Sequence, residues 1–125
     1  MAGRNPQQAL RNFTEPIQRA LSCLTRVYIQ TSGFDPEKKH ALALGTGNPI
    51  ATTTDRGEVL GVSVLQNYRV VETDDTARGP WKVRTTKYIY TLHDESGQEI
   101  VAYHWHPDVP PGYPHLHVKA TGATT

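Results

Sequence analysis

The stretch Leu60-Gly61-Val62-Ser63-Val64-Leu65-Gln66-Asn67-Tyr68-Arg69-Val70-Val71 is where the hydrophobic period of the chain changes. Leu60, Val62, Val64, Gln66, Tyr68 and Val70 occupy even positions and alternate with Gly61, Ser63 and Arg69. A period of two predicts a long, half-buried strand. Leu65 and Val71 interrupt the alternation, which points to a bulge or break near Gln66-Asn67. Before this stretch apolar residues recur every three or four positions, and after it they alternate again. The chain therefore divides into a helical front and a sheet-forming rear.

In the front part, Met1 to about Phe13 is polar and without a period, and reads as a short helical turn or a disordered segment. Thr14 reads as an N-cap, with Glu15 and Pro16 in the first turn, where an acid suits the helix dipole and proline lacks only an orphan N–H. Ile17, Ala20, Leu21, Leu24, Val27 and Tyr28 then form one apolar face, predicting a helix to about Thr31. Cys23 falls within it and is expected to be packed or half-buried. Asp35-Pro36-Glu37 repeats the start signal and predicts a second helix carrying Ala41, Leu42 and Leu44. Gly45 to Pro49 ends it as a turn, since no Gly-Lys-Ser/Thr follows to make a phosphate loop. Ile50 to Gly57 reads as a threonine-rich loop.

In the rear part, a second strand is expected from Trp81 to His93, a hairpin turn at Asp94-Glu95-Ser96-Gly97, a third strand from Gln98 to His106 and a fourth from Tyr113 to about Ala120. The fold class is then α+β, with two N-terminal helices packed on a four-stranded antiparallel meander sheet. Residues 14–120 form a single domain, residues 1–13 precede it, and 121–125 are a flexible tail.

Composition narrows the function classes. At 125 residues with 37% hydrophobic content, the chain has a modest single core. A formal charge of +1 gives no global bias toward nucleic acid or anionic membrane, so any polyanion binding needs a local patch. One cysteine excludes an internal disulfide and a cysteine-based zinc site. No apolar leader or membrane-length run occurs, and a cytoplasmic protein with no membrane partner is expected.

Four of the six histidines lie in Tyr103-His104-Trp105-His106-Pro107 and Tyr113-Pro114-His115-Leu116-His117-Val118. Pairing His104 with His117 and His106 with His115 sets Trp105 opposite Leu116 and Tyr103 opposite Val118, a continuous apolar face. A slip of one residue would put Trp105 opposite a histidine. The apolar pattern thus places His104, His106, His115 and His117 together on the other face. Pairing His93 with Gln98 across the preceding turn adds Lys87 beside His104 and Thr85 beside His106. His40 and His93 read as ordinary surface residues.

Two chemistries suit such a square. Alternate residues of a strand lie roughly 7 Å apart and cross-strand neighbours about 5 Å apart. Three of the four imidazoles can then converge on Zn²⁺, Ni²⁺, Cu²⁺ or Fe²⁺ and leave a coordination position open. Asp108 on its loop and Glu99 on the core-side parity offer no well-placed carboxylate partner. Alternatively, without any cofactor, two imidazoles straddling a phosphate act as general base and general acid in RNA cleavage, with Lys87 stabilising developing charge. An exposed Trp or Tyr would stack an unpaired base.

The run Lys87-Tyr88-Ile89-Tyr90-Thr91-Leu92, then Asp94 to Gly97, Ala102-Tyr103-His104-Trp105 and Tyr113-Pro114-His115-Leu116-His117 resembles the TumE-type toxins of bacterial toxin–antitoxin pairs. It is also similar to small bacterial proteins with a Tyr-His-Trp-His-Pro and Pro-His-Leu-His-Val pattern. The resemblance covers residues 81–119. It implies a toxin-like ribonuclease acting on RNA through His104, His106, His115, His117 and Lys87, with a cognate antitoxin as partner. A metal-binding protein or metal-dependent enzyme using the two His-x-His pairs is the rival expectation. A non-catalytic interaction domain with an aromatic-rich sheet is the third.

Overall fold

A computed structural model describes residues 2–23, 27–45, 49–53, 56–74, 79–107 and 112–118. In chain order its elements are β1 (Ala2–Gly3), α1 (Pro6–Leu21), β2 (Gln30–Thr31), β3 (His40–Leu44), β4 (Ile50–Thr53), β5 (Val59–Glu72), β6 (Trp81–His93), β7 (Glu99–Trp105) and β8 (His115–Val118). The described residues thus form one helix and a single eight-stranded antiparallel sheet, and the two-helix, four-strand expectation is wrong. The sheet order is β2-β3-β5-β6-β7-β8, with β4 against the start of β5 and β1 against the start of β6. The 121–125 tail lies outside the described residues. The helix α1 is not long and apolar enough to cross a membrane.

The helix starts earlier than Thr14, within the segment read as polar and patternless. Asn5 is its N-cap, accepting from the Gln8 N–H, and Pro6 opens the first turn. Thr14 caps nothing; its hydroxyl bonds back to the Arg11 carbonyl inside the helix. Pro16 sits within the helix and not at its start. Ala9, Leu10, Phe13, Ile17 and Leu21 make the buried stripe. The helix ends at the Ser22 cap, so Cys23 is exposed, not packed, and Val27 and Tyr28 lie outside it. Asn5→Ala removes the cap bond and is expected to lower stability by about 0.5–2 kcal/mol in urea unfolding.

The second expected helix is a turn followed by a strand. Asp35 does accept the Glu37 N–H, and its carbonyl takes the Lys38 N–H, but the turn stops there. His40, Leu42 and Leu44 are then buried while Ala41 and Ala43 are half-buried, a period of two. Pairing with β5 over five residues satisfies this backbone, overriding the helix preference of Ala and Leu. Residues 50–53 also pair with β5, so part of the expected threonine-rich loop is strand.

The alternating stretch is the central strand. Val62, Val64, Gln66, Tyr68 and Val70 are buried, and the irregularity falls at Asn67/Tyr68, where β6 contributes one extra residue. The core packs α1 against this face, using Leu10, Leu42, Leu44, Val62, Val64, Tyr68 and Val70. Gly3 and Gly79 allow the helix, β1 and the entry to β6 to meet. A side chain on Gly79, whose φ is +108°, would run into the Gly3 carbonyl.

Candidate metal centre

The face of the sheet away from the helix holds the histidines. A row of directly paired residues crosses five strands on this face: Ala43, Leu65, Ile89, His104 and His115. The next row runs Ser63, Thr91, Ala102 and His117. Both hairpins differ by two residues from the expected register. Tyr90 pairs with Tyr103 and Tyr103 with Leu116, where Val101 and Val118 were expected. A shift of two preserves which face each side chain occupies but changes its neighbours.

The consequences differ from residue to residue. His104 faces His115 directly, and His117 lies diagonally, opposite Ala102, which contributes only a methyl group. Ring centroids are 4.6 Å apart for His104–His117, 4.8 Å for His115–His117 and 5.6 Å for His104–His115. One nitrogen from each ring lies within 4.8 Å of the others. His106 falls beyond the end of β7 and outside this trio, so the expected square is a triangle. Lys87 lies opposite Asn67, and Ile89 takes the place beside His104 that was expected for the lysine. Thr85 is on the helix-side face instead, paired with Tyr68 and accepting from Gln66 Nε2. The β6 bulge turned it there. Asp108 lies outside the described residues.

The electrostatics favour neutral imidazole at His104. Its pKa is lowered, first by burial and then by repulsion from His117 and His115. Lys87 acts in the same direction and Glu99 opposes it. His115 Nδ1 lies 3.1 Å from the Tyr113 carbonyl. Donation to that carbonyl puts the proton on Nδ1 and leaves the Nε2 lone pair available to a metal. Tetrahedral zinc with Zn–N of about 2.0–2.1 Å needs nitrogens about 3.3 Å apart, so the three rings would close in from this spacing to hold it.

The other two histidines are structural. His40 is buried, stacked on Tyr68 and bonded to Ser32 and the Asp35 carbonyl, unlike the surface residue expected. His93 bonds Ser63 across the strands.

Two concavities flank the trio. On the histidine face, Ser32, Lys39, Asn67, Arg69, Lys87 and His106 line a depression of about 590 Å³. Of these, only Lys87 and His106 stood out in the sequence. The parity of Lys39 and Arg69 could have found the others, had β3 been read as a strand. On the helix-side face, an apolar groove of about 570 Å³ runs between Ile17 and Leu21 of α1 and Tyr90, Val101 and Leu116 of the sheet. Its lining holds no histidine, cysteine or carboxylate. The aromatic cluster is on that side too, with Tyr88 stacked on Tyr90 at 5.0 Å and packed near Tyr103 and Trp105. No family model, curated protein or solved structure matches the chain.

Proposed function

We propose that this protein binds a divalent transition metal through His104, His115 and His117 and uses the open side of that metal for hydrolytic chemistry. The observation that carries the reading is the convergence of three imidazole nitrogens within 4.8 Å on two paired strands. Three neutral nitrogen donors suit Zn²⁺, Cu²⁺, Ni²⁺ or Fe²⁺ and leave coordination for water or a substrate oxygen. A metal so held polarises that oxygen and lowers the pKa of a bound water toward neutrality. His104 contributes by staying unprotonated near neutral pH, and the Tyr113 carbonyl by orienting His115.

Metal-free RNA cleavage is supported less well. It needs two imidazoles on either side of a phosphate, whereas these rings pack against one another at 4.6–5.6 Å between centroids. The aromatic cluster of Tyr88, Tyr90, Tyr103 and Trp105 lies on the opposite face from the histidines. A reducing cytoplasm suits the exposed, lone thiol of Cys23.

The test is metal titration of chelator-treated protein, followed by Co²⁺ absorption and elemental analysis. One metal per chain with a tetrahedral Co²⁺ spectrum is the expected result. Lack of uptake, or uptake unchanged when all three histidines become alanine, overturns the reading.

A further inference from the structure

We propose that the depression beside the histidine trio binds the phosphate group of a small phosphorylated molecule, through Lys39, Arg69 and Lys87 with His106. This names a substrate class for the metal centre and rests on that reading for its catalytic meaning, though not for binding itself.

Arg69 of β5 pairs directly with Arg84 of β6. On its other side, the β3–β5 ladder reaches His40–Tyr68, so the next residue out, Lys39, lies alongside Arg69. Three cations therefore form one row, Lys39 just ahead of β3, Arg69 in β5 and Arg84 in β6. The adjacent row is Ala41, Asn67 and Lys87, which brings a fourth cation next to it. Like charges directly opposite on paired strands destabilise a sheet, so such a row needs a compensating anion. No described carboxylate pairs with any of these four groups, since the ion pair that does form, Lys38 with Asp35, is elsewhere. None of the residues lining the depression is acidic. Positive charge is concentrated here although the chain as a whole carries only +1.

Shape then narrows the ligand. A concavity of about 590 Å³ is the size of a small-molecule site and not of an extended track. Its lining offers the amide of Asn67 and the hydroxyl of Thr86 beside the cations, and no Phe, Tyr or Trp. The site therefore recognises charge and oxygen geometry, not an aromatic base. Arginine and lysine together match a phosphate dianion, Arg69 through its fork and the lysines as point charges. His106 joins this pocket to the metal centre. It follows the end of β7, two residues from His104, and a phosphate ester spans the roughly 7 Å that two extended residues cover.

Calorimetric titration of the metal-free, chelator-treated full chain with phenyl phosphate tests the proposal. Binding is expected to weaken at least tenfold in Arg69→Gln and in the exposed variant Lys39→Ala, and to persist in His117→Ala. Circular dichroism of each variant establishes that it is folded. Absence of binding to the metal-free protein, or binding by Lys39→Ala and Arg69→Gln as tight as the parent's, overturns the pocket even if metal uptake succeeds. Failure of metal uptake with phosphate binding intact overturns only the metal reading. Affinity that climbs with length for single-stranded oligonucleotides, with phenyl phosphate inert, replaces the small ligand with a nucleic acid and rejects the proposal.

Discussion

His104→Ala is expected to abolish stable metal uptake, and His117→Ala to do the same, while His106→Ala should leave it close to the parent. Removing one of three ligands leaves two imidazoles, too few to hold a divalent ion against water. His104 has the greater structural weight, since it is half-buried between His115 and Ile89 and its ring lies nearest to His117. His106 follows the end of β7 and lies outside the triangle, so its variant separates the trio from the expected square. Competition titration against a chromophoric chelator measures the effect, with at least a hundredfold loss expected for the two ligand variants. Equal loss in His106→Ala would restore the four-histidine arrangement and reject the triangle.

Acid provides an independent check on the same residue. The folded pKa of His104 lies below the ordinary imidazole value because of burial and the neighbouring rings. Between those two values the unfolded chain binds a proton that the folded chain does not. Stability of the metal-free protein therefore falls as pH drops below the unfolded imidazole value of about 6.5. His104→Ala removes this contribution, so its urea midpoint should depend less on pH over that window than the parent's.

The central strands were readable because Val62, Val64, Tyr68 and Val70 alternate over a length no short helix mimics. The bulge was not: Leu65 and Val71 point to a break in this strand, whereas the alternation of burial runs unbroken from Val62 to Val70 and the extra residue, Thr86, belongs to β6. His40 to Leu44 was not, because five residues of Ala, Leu and His follow an Asx turn that begins like a helix cap. Only pairing with β5, 20 or more residues later, decides between the two. At the N-terminus, Thr14-Glu15-Pro16 and Asn5-Pro6 carry similar start signals, and packing of Leu10 and Phe13 onto Tyr68 selects the earlier one. The histidine face followed from parity alone. Its neighbours did not, since the Asp94–Gln98 turn and the His93–Glu99 irregularity displace the register by two. Such a displacement depends on turn geometry, to which the apolar pattern is blind.

Tyr68→Ala is expected to cost about 3–5 kcal/mol, the range for deleting a large buried aromatic side chain. Tyr68 is fully buried, at 0% exposure, and occupies the junction of every layer. Phe13 of the helix packs on one side and His40 of β3 stacks on the other at 5.3 Å. Its hydroxyl donates to the Gly33 carbonyl, tying the segment before β3 to the sheet, and burial raises the pKa of that hydroxyl. A small domain has roughly 5–15 kcal/mol in all, so the alanine variant loses a large share and its urea midpoint should fall steeply. Tyr68→Phe keeps the ring and removes only the bond to the half-buried Gly33 carbonyl, a cost of about 0.5–1.5 kcal/mol. The order of the two variants is the discriminating result, since equal losses would assign Tyr68's role to the hydrogen bond alone. The bulge beside Tyr68 is also what turns Thr85 toward the core and leaves Asn67 and Lys87 facing the anion pocket. The phenylalanine variant, which preserves that packing, should therefore retain phenyl phosphate binding even where its stability is reduced.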